Sequence, residues 1–168
     1  IIKDNRKIWC LILGGPTKYY DYSTKNMKHI FSIFYKLLKK NDFQLVVIPS
    51  MRTPLNTIHY AKEFFGENHT VIMNVDKKAY LSALALSENI IVTCDSSSMI
   101  SEAALTGKPI YIANILPKKN DIRFQRFRNL FRELNITRNL GEDMENWSYQ
   151  SLDETNRVAK IINEKIKN

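Results

Sequence analysis

Short unbroken apolar runs alternate along this chain with longer stretches in which apolar residues return every third or fourth position. The runs at 8–13, 45–48, 71–73, 90–93 and 110–112 have the pattern of strands buried on both faces. Between them, helical spacing recurs. Met27, Ile30, Phe31, Phe34, Leu37 and Leu38 follow Ser23 or Thr24 as N-cap, and Leu55, Ile58, Ala61 and Phe65 follow Thr53-Pro54 and stop at Gly66. Asp76 is placed to cap a third helix carrying Tyr80, Leu81 and Leu84. A fourth lies within 96–106, a fifth carries Phe124, Phe127, Phe131 and Leu134, and a Ser151-x-x-Glu154 capping box opens a sixth through Val158, Ile161, Ile162 and Ile166.

Strands alternating with helices specify a parallel sheet joined by right-handed crossovers. The expected fold is therefore a Rossmann-like three-layer α/β/α domain with a sheet of about five or six strands. One domain spans 1–168, and the final helices, 121–134 and 152–166, are expected to pack on it. In such a sheet ligands sit beyond the carboxyl ends of the strands, where the strand order reverses. That rule singles out the loops at 14–16, 50–54, 74–76, 95–98 and from Asn114 onward.

Composition narrows this picture. With 168 residues, 44% of them hydrophobic, the chain fills one sizeable core. It begins at Ile1 and enters its first strand almost at once, the pattern expected of a piece of a longer protein. The longest apolar run, 8–13, is far below the ~20 residues that span a bilayer. Cys10 and Cys94 are too few for a disulfide framework and lack metal-ligand spacing with His29, His59 or His69, so no metal is expected and both read as reduced core thiols. A cytoplasmic location follows, peripheral at the inner membrane face if the basic segment docks there. The net charge of +8 calls for an anionic partner. Much of it falls in 118–138, on Lys118, Lys119, Arg123, Arg126, Arg128, Arg132 and Arg138, where arginines on the exposed face of a helix whose phenylalanines face the core give either a solvated surface or a dock for an anionic membrane. No nucleic-acid module is recognisable.

The chemistry concentrates in TCDSSSMISEAALTGKPIYI, residues 93–112. Asp95, Ser96, Ser97 and Ser98 form the turn into a helix whose first amides are unpaired and whose dipole favours an anion. Met99 shares a face with Ile100, Ala103 and Ala104, whereas Glu102 stands in line with Ser98, toward the same mouth. These residues either cap a helix or cradle a phosphate. Gly107-Lys108-Pro109 is a helix stop. Gly14-Gly15-Pro16 is either a tight turn or a point where backbone meets phosphate, and Arg52 is either solvated or a two-pronged anion ligand. Tyr35-x-x-x-Lys39 falls inside an amphipathic helix with no G-x-G-x-x-G after the first strand, and no G-x-S-x-G elbow surrounds the serines, which disfavours dehydrogenase and hydrolase readings.

At this stretch the chain resembles glycosyltransferases of the two-domain type-B fold and the non-hydrolysing nucleotide-sugar epimerases, which share a small-residue loop, a helix glutamate and Gly-x-Pro. Asp95-Ser96, Glu102-Ala103 and Gly107-Lys108-Pro109 match in register, with Ser97 and Ser98 in place of a glycine pair. The landmarks Leu13-Gly-Gly-Pro16, Ser50-x-Arg52-Thr-Pro54, Asn74, Thr93-x-Asp95-Ser96-x-Ser98-Met99, Ser101-Glu102-Ala103, Gly107-Lys-Pro109 and Trp147-x-Tyr149 resemble the mitochondrial-fission ELM family and its bacterial relatives. Met51 and Val75-Asp76 depart from that pattern.

The resemblance implies the C-terminal half of a type-B-like protein, facing a missing N-terminal domain. It implies a nucleoside-diphosphate-sugar site at Gly14, Gly15, Ser50, Arg52, Thr53, Asn74, Asp95, Ser96, Ser97, Ser98, Met99 and Glu102, with the serines on the diphosphate and Glu102 on the ribose. No cofactor is required. The catalytic base belongs to the missing half, so the isolated domain is expected to be inactive. A 2-epimerase of the same fold and a non-catalytic membrane-associated adaptor are the alternatives.

Overall fold

A computed structural model describes residues 3–66, 68–141 and 143–167. In chain order the elements are β1 (Lys7–Leu13), α1 (Thr24–Lys40), β2 (Phe43–Pro49), α2 (Leu55–Phe65), β3 (Thr70–Val71), α3 (Lys77–Leu86), β4 (Asn89–Thr93), α4 (Ser97–Ala104), β5 (Ile110–Ala113), α5 (Ile122–Glu133), β6 (Thr137–Asn139) and α6 (Glu154–Lys167). All strand pairs are parallel, in the order β3-β2-β1-β4-β5-β6. The chain runs outward from β1 to β3, crosses back to lay β4 against β1, and runs outward again to β6. The order therefore reverses between β1 and β4, where Ile12 pairs with Val92. Right-handed crossovers put α1 and α2 on one face and α3, α4 and α5 on the other. The domain is Rossmann-like, as the alternation of runs and stripes predicts.

The apolar runs become strands because they are wanted on both sides. Of β1, β2, β4 and β5, only Lys7 at the start of β1 is not buried. The helical stripe of α1 buries Met27, Ile30, Phe31, Phe34 and Leu37. Phe31 meets Phe65 of α2 with ring centroids 5.0 Å apart. Cys10 and Cys94 are buried free thiols, pushed up to about 11 chiefly by burial, which keeps them protonated and unreactive. Ser23 and Asp76 cap α1 and α3 as expected, each accepting from backbone amides of the first turn. Gly107 takes φ +72° just past α4, the left-handed geometry a helix stop needs.

Several local expectations are corrected. β6 is a sixth strand of sequence Thr-Arg-Asn, too polar to be recognised as an apolar run. Pro54 is the N-cap of α2, because the Thr53 hydroxyl turns the other way and donates to the Leu13 carbonyl at 2.9 Å. The final helix starts at Glu154, where Asp153 rather than Ser151 accepts from the Asn156 amide. Every side chain described along α6 is exposed, its Val158, Ile161, Ile162 and Ile166 stripe included. No helix among the described residues is long and apolar enough to cross a membrane.

α5 is rotated from its expected setting. Phe131 is buried and Phe124 and Phe127 are half-buried, but Leu134 is 50% exposed. Arg128 points inward instead, its side chain only 17% exposed. It donates to the Tyr20 hydroxyl at 2.9 Å, the Cys94 carbonyl at 3.2 Å and the Asp121 carboxylate at 3.0 Å, while Tyr20 also donates to Asp121. This group ties the segment between β1 and α1 to the start of α5. Burial alone would raise the Asp121 pKa; the hydrogen bonds from Tyr20, Arg128 and Gln125 outweigh it and hold the carboxyl below its ordinary value.

Two outcomes follow. In urea unfolding, Phe31→Ala costs about 3–5 kcal/mol through its cavity, whereas Ile162→Ala on α6 stays within about 0.5 kcal/mol. Because the folded Asp121 pKa is depressed, its stabilisation is present above the ordinary value of 3.8 and is lost as pH falls below it. Asp121→Asn should therefore lower stability at neutral pH and flatten the acid limb of stability against pH.

Candidate functional site

The carboxyl edge at the strand-order reversal is organised by one carboxylate. Asp95, two residues beyond β4, has a side chain with no solvent exposure. It accepts from the Gly15 amide at 2.9 Å, the Tyr22 hydroxyl at 2.6 Å and the Arg52 guanidinium at 3.1 Å. Burial first, then the charge and hydrogen bond of Asp95, push the Tyr22 pKa up, so its phenol remains a donor. Thr93, the last residue of β4, adds a hydroxyl that accepts from the Gly14 amide at 2.8 Å. Three loops, after β1, β2 and β4, are thereby joined at one point.

The glycine pair serves this junction. A Cβ on Gly14 would collide with the Asp95 carboxylate, and one on Gly15 with the Arg52 backbone. Both amides already have partners. The close approach at this pair is between parts of the protein, which agrees with the tight-turn reading of Gly14-Gly15-Pro16. Ser50 and Thr53 belong to the same junction: the Ser50 hydroxyl donates to the Gly14 carbonyl, and the single Thr53 hydroxyl proton is shared between the Gly14 and Leu13 carbonyls. Arg52 remains 43% exposed while its two terminal nitrogens are held by the Gly15 carbonyl and Asp95. Its guanidinium is oriented at the rim.

Beside this junction lies a slot of about 240 Å³. Ile12, Pro49, Met51, Val75 and Met99 give it apolar walls, and Ser50, Asp76, Lys77, Tyr80 and Glu102 complete its lining. Met51 is 85% exposed, an unusual setting for a large apolar side chain. Tyr80 donates to Glu102 Oε2 at 2.8 Å. Burial, then this bond, raise the Tyr80 pKa, so the phenol stays a fixed donor. The other oxygen of Glu102 has no partner among the described residues.

The serines lie on another side of α4. Ser97, Ser98 and Ser101 line a second cavity, of about 360 Å³, with Arg123, Phe124 and Phe127 of α5. Ser96 is buried and reaches Ser98 at 3.4 Å without capping α4 through its side chain. So the structure brings Gly14, Gly15, Ser50, Arg52, Thr53 and Asp95 together, and Met99 with Glu102. It does not place Glu102 and the serines in one cavity. Asn74 is exposed on the β3–α3 loop, next to the Val75 of the slot.

Contributors outside the expected set include Tyr22, Thr93, Tyr80 and Arg123, as well as the slot walls Ile12, Pro49, Met51 and Val75. Tyr80 had a usable signal, since a residue one turn into the helix after β3 stands near the carboxyl edge. Tyr22 had none, because nothing in a loop tyrosine announces a partner 73 residues away.

The chain has relatives both by fold and by sequence. Fold likeness is clear: a UDP-GlcNAc 2-epimerase from Neisseria meningitidis, bound to UDP-GlcNAc, superposes with a TM-score of 0.54 at 17% identity over 99% of this chain and 37% of that one. Another from Methanocaldococcus jannaschii, in complex with UDP-GlcNAc and UDP, gives 0.57 at 15% identity over 95% of this chain and 46% of that one. By sequence, the chain is 29% identical over 167 residues to Uncharacterized protein RP120 of Rickettsia prowazekii, 94% of this chain and 46% of that protein. It is 34% identical over 118 residues to the Mitochondrial fission protein ELM1 of Arabidopsis thaliana, 67% of this chain and 27% of that protein. It thus spans half or less of the length of these relatives. The profile of the family described as Mitochondrial fission ELM1 matches residues 1–166, and the chain belongs to that family.

Proposed function

We propose that this chain is a nucleotide-sugar-binding domain of a glycosyltransferase-like protein. The observation that carries the proposal is Glu102, held by Tyr80 with one carboxylate oxygen free, at an apolar slot on the carboxyl edge of the sheet. A flat base needs apolar walls, and a ribose needs a hydrogen-bond acceptor next to them. The Ile12, Met51, Val75 and Met99 walls supply the first and Glu102 the second. The diphosphate then reaches over the first turn of α4, where Ser97, Ser98 and unpaired amides meet it and Arg52, already ion-paired with Asp95, adds an exposed N–H donor at the rim.

In a transfer reaction the bond to the anomeric carbon breaks and its electron pair leaves with the diphosphate. Donors fixed in advance stabilise that growing charge without a covalent intermediate. Ser97, Ser98 and Arg52 have this role here, and no residue of this chain is assigned as the base. A 2-epimerase reading is favoured by the fold of the structural neighbours, and product analysis on a full-length relative separates the two: epimerised against transferred sugar. A non-catalytic, membrane-associated adaptor is favoured by the inward closure of Asp95 and the glycine amides, which leaves fewer open donors at the mouth.

Calorimetric titration with UDP and UDP-GlcNAc, and with guanosine diphosphate sugars, tests the proposal. Saturable heat is expected with at least one of them. Glu102→Ala should weaken it by about tenfold, some 1.4 kcal/mol, with an unchanged melting temperature because Glu102 is exposed. Absence of heat at millimolar ligand with folded protein overturns the proposal, and unchanged affinity in Glu102→Ala removes the ribose assignment.

A further inference from the structure

The face that α5 turns toward the sheet edge is polar. The Phe124, Phe127 and Phe131 stripe of α5 packs inward, as a helix beside a sheet ordinarily does, and a polar face lies next to it. Here Gln125, Arg128, Asn129 and Arg132, spaced i, i+3, i+4 and i+7, line a cavity of about 240 Å³ together with Asn114, just past β5, and Asn139, the last residue of β6. Leu130 and Leu134 of the same helix are left half exposed. Its phenylalanine stripe packs on the core, and the neighbouring face presents amides and guanidinium groups to a cavity at the carboxyl edge.

The partners already made define what is left over. Arg128 is closed on Tyr20, Asp121 and Cys94, and acts as a wall. The Asn114 side-chain amide donates to the Asn139 side-chain carbonyl at 2.9 Å, which leaves one acceptor on Asn114 and donors on Asn139. Arg132 donates to the Asn129 side chain at 3.0 Å and forms no ion pair among the described residues. Arg138, also in the lining, is paired with Glu145 and lies over the Trp147 ring, and the Gln125 amide donates to Asp121, so the cavity offers donors, acceptors and, at Arg132, one positive charge without an ion-pair partner among the described residues. Its volume is below the roughly 300–1,000 Å³ of sites for drug-sized ligands, the scale of a single sugar ring. It shares no lining residue with the slot at Glu102.

We infer that this cavity is a second binding site, for a monosaccharide-sized, hydroxyl-rich molecule carrying one oxyanion. Arg132 holds the oxyanion, while Asn114, Asn129 and Asn139 exchange hydrogen bonds with ring hydroxyls. Two sources share this chemistry, a sugar phosphate and a sugar carboxylate. The inference does not rest on the nucleotide-sugar reading.

The test is titration of the 168-residue chain, observed by amide NMR, with glucose 1-phosphate and with glucuronate. Neutral glucose and inorganic phosphate are the control probes. At least one anionic sugar is expected to shift the signals of Asn114, Asn129 and Asn139 saturably, more tightly than either control, and an excess of UDP should not displace it. Arg132→Gln should weaken binding by about tenfold, and Asn139→Ala should weaken it too. Both residues are exposed or nearly so, and the spectrum of each variant verifies its fold. Three results overturn the inference: no saturable shift at these residues with either anionic sugar; binding no tighter than inorganic phosphate or glucose; or unchanged affinity in both folded variants. Displacement by UDP would overturn the separateness of the site.

Discussion

A carboxylate without solvent is costly unless every lone pair is answered. The mouth of this domain depends on how the answer is given to Asp95. Its three donors come from the backbone of the first loop, a tyrosine at the end of that same loop, and an arginine of the second. The carboxylate can sit so close to the chain only because Gly14 has no side chain to occupy its place. Gly14, the Gly15 amide and the direction of Arg52 all serve that one buried charge at the point where strand order reverses, and Thr93 holds the neighbouring Gly14 amide.

A second carboxylate completes the arrangement. The loop between β1 and α1 carries Tyr20 and Tyr22, and the two phenols go to different acids, Asp121 and Asp95. One loop is thereby fastened both to α5 and to the turn entering α4. With its surroundings fixed, α4 has the slot at Glu102 on one side and the serine-lined cavity facing α5 on another. Side chains held by such a frame are already ordered, which is the condition under which preorganisation contributes to affinity.

The frame was legible in the residues to the extent that burial writes a pattern. Continuous apolar runs located β1, β2, β4 and β5, and side-chain caps located the starts of α1 and α3. β6 escaped because an edge strand of Thr-Arg-Asn carries no apolar run. Arg128 escaped for a related reason: an arginine is exposed by default, and only the distant Tyr20 and Asp121 make an inward position affordable. Helical spacing put Ser98 at the same mouth as Glu102, yet Ser98 lines the cavity against α5 while Glu102 and Met99 line the slot, a separation that depends on where α5 lies. Gly14-Gly15 shows the limit most clearly. Its residue types announce a close backbone approach, but whether the approaching atom belongs to a ligand or to Asp95 is a matter of tertiary structure.

The central claim, that Asp95 holds the mouth together without being needed for the fold of the sheet, is tested most directly by amide hydrogen exchange on Asp95→Asn. The side chain keeps its shape and loses its charge. The account predicts faster exchange in 14–22 and 50–54, with protection of β1, β2 and β4 unchanged. Unaltered exchange in those loops, or loss of protection throughout the sheet, would contradict it.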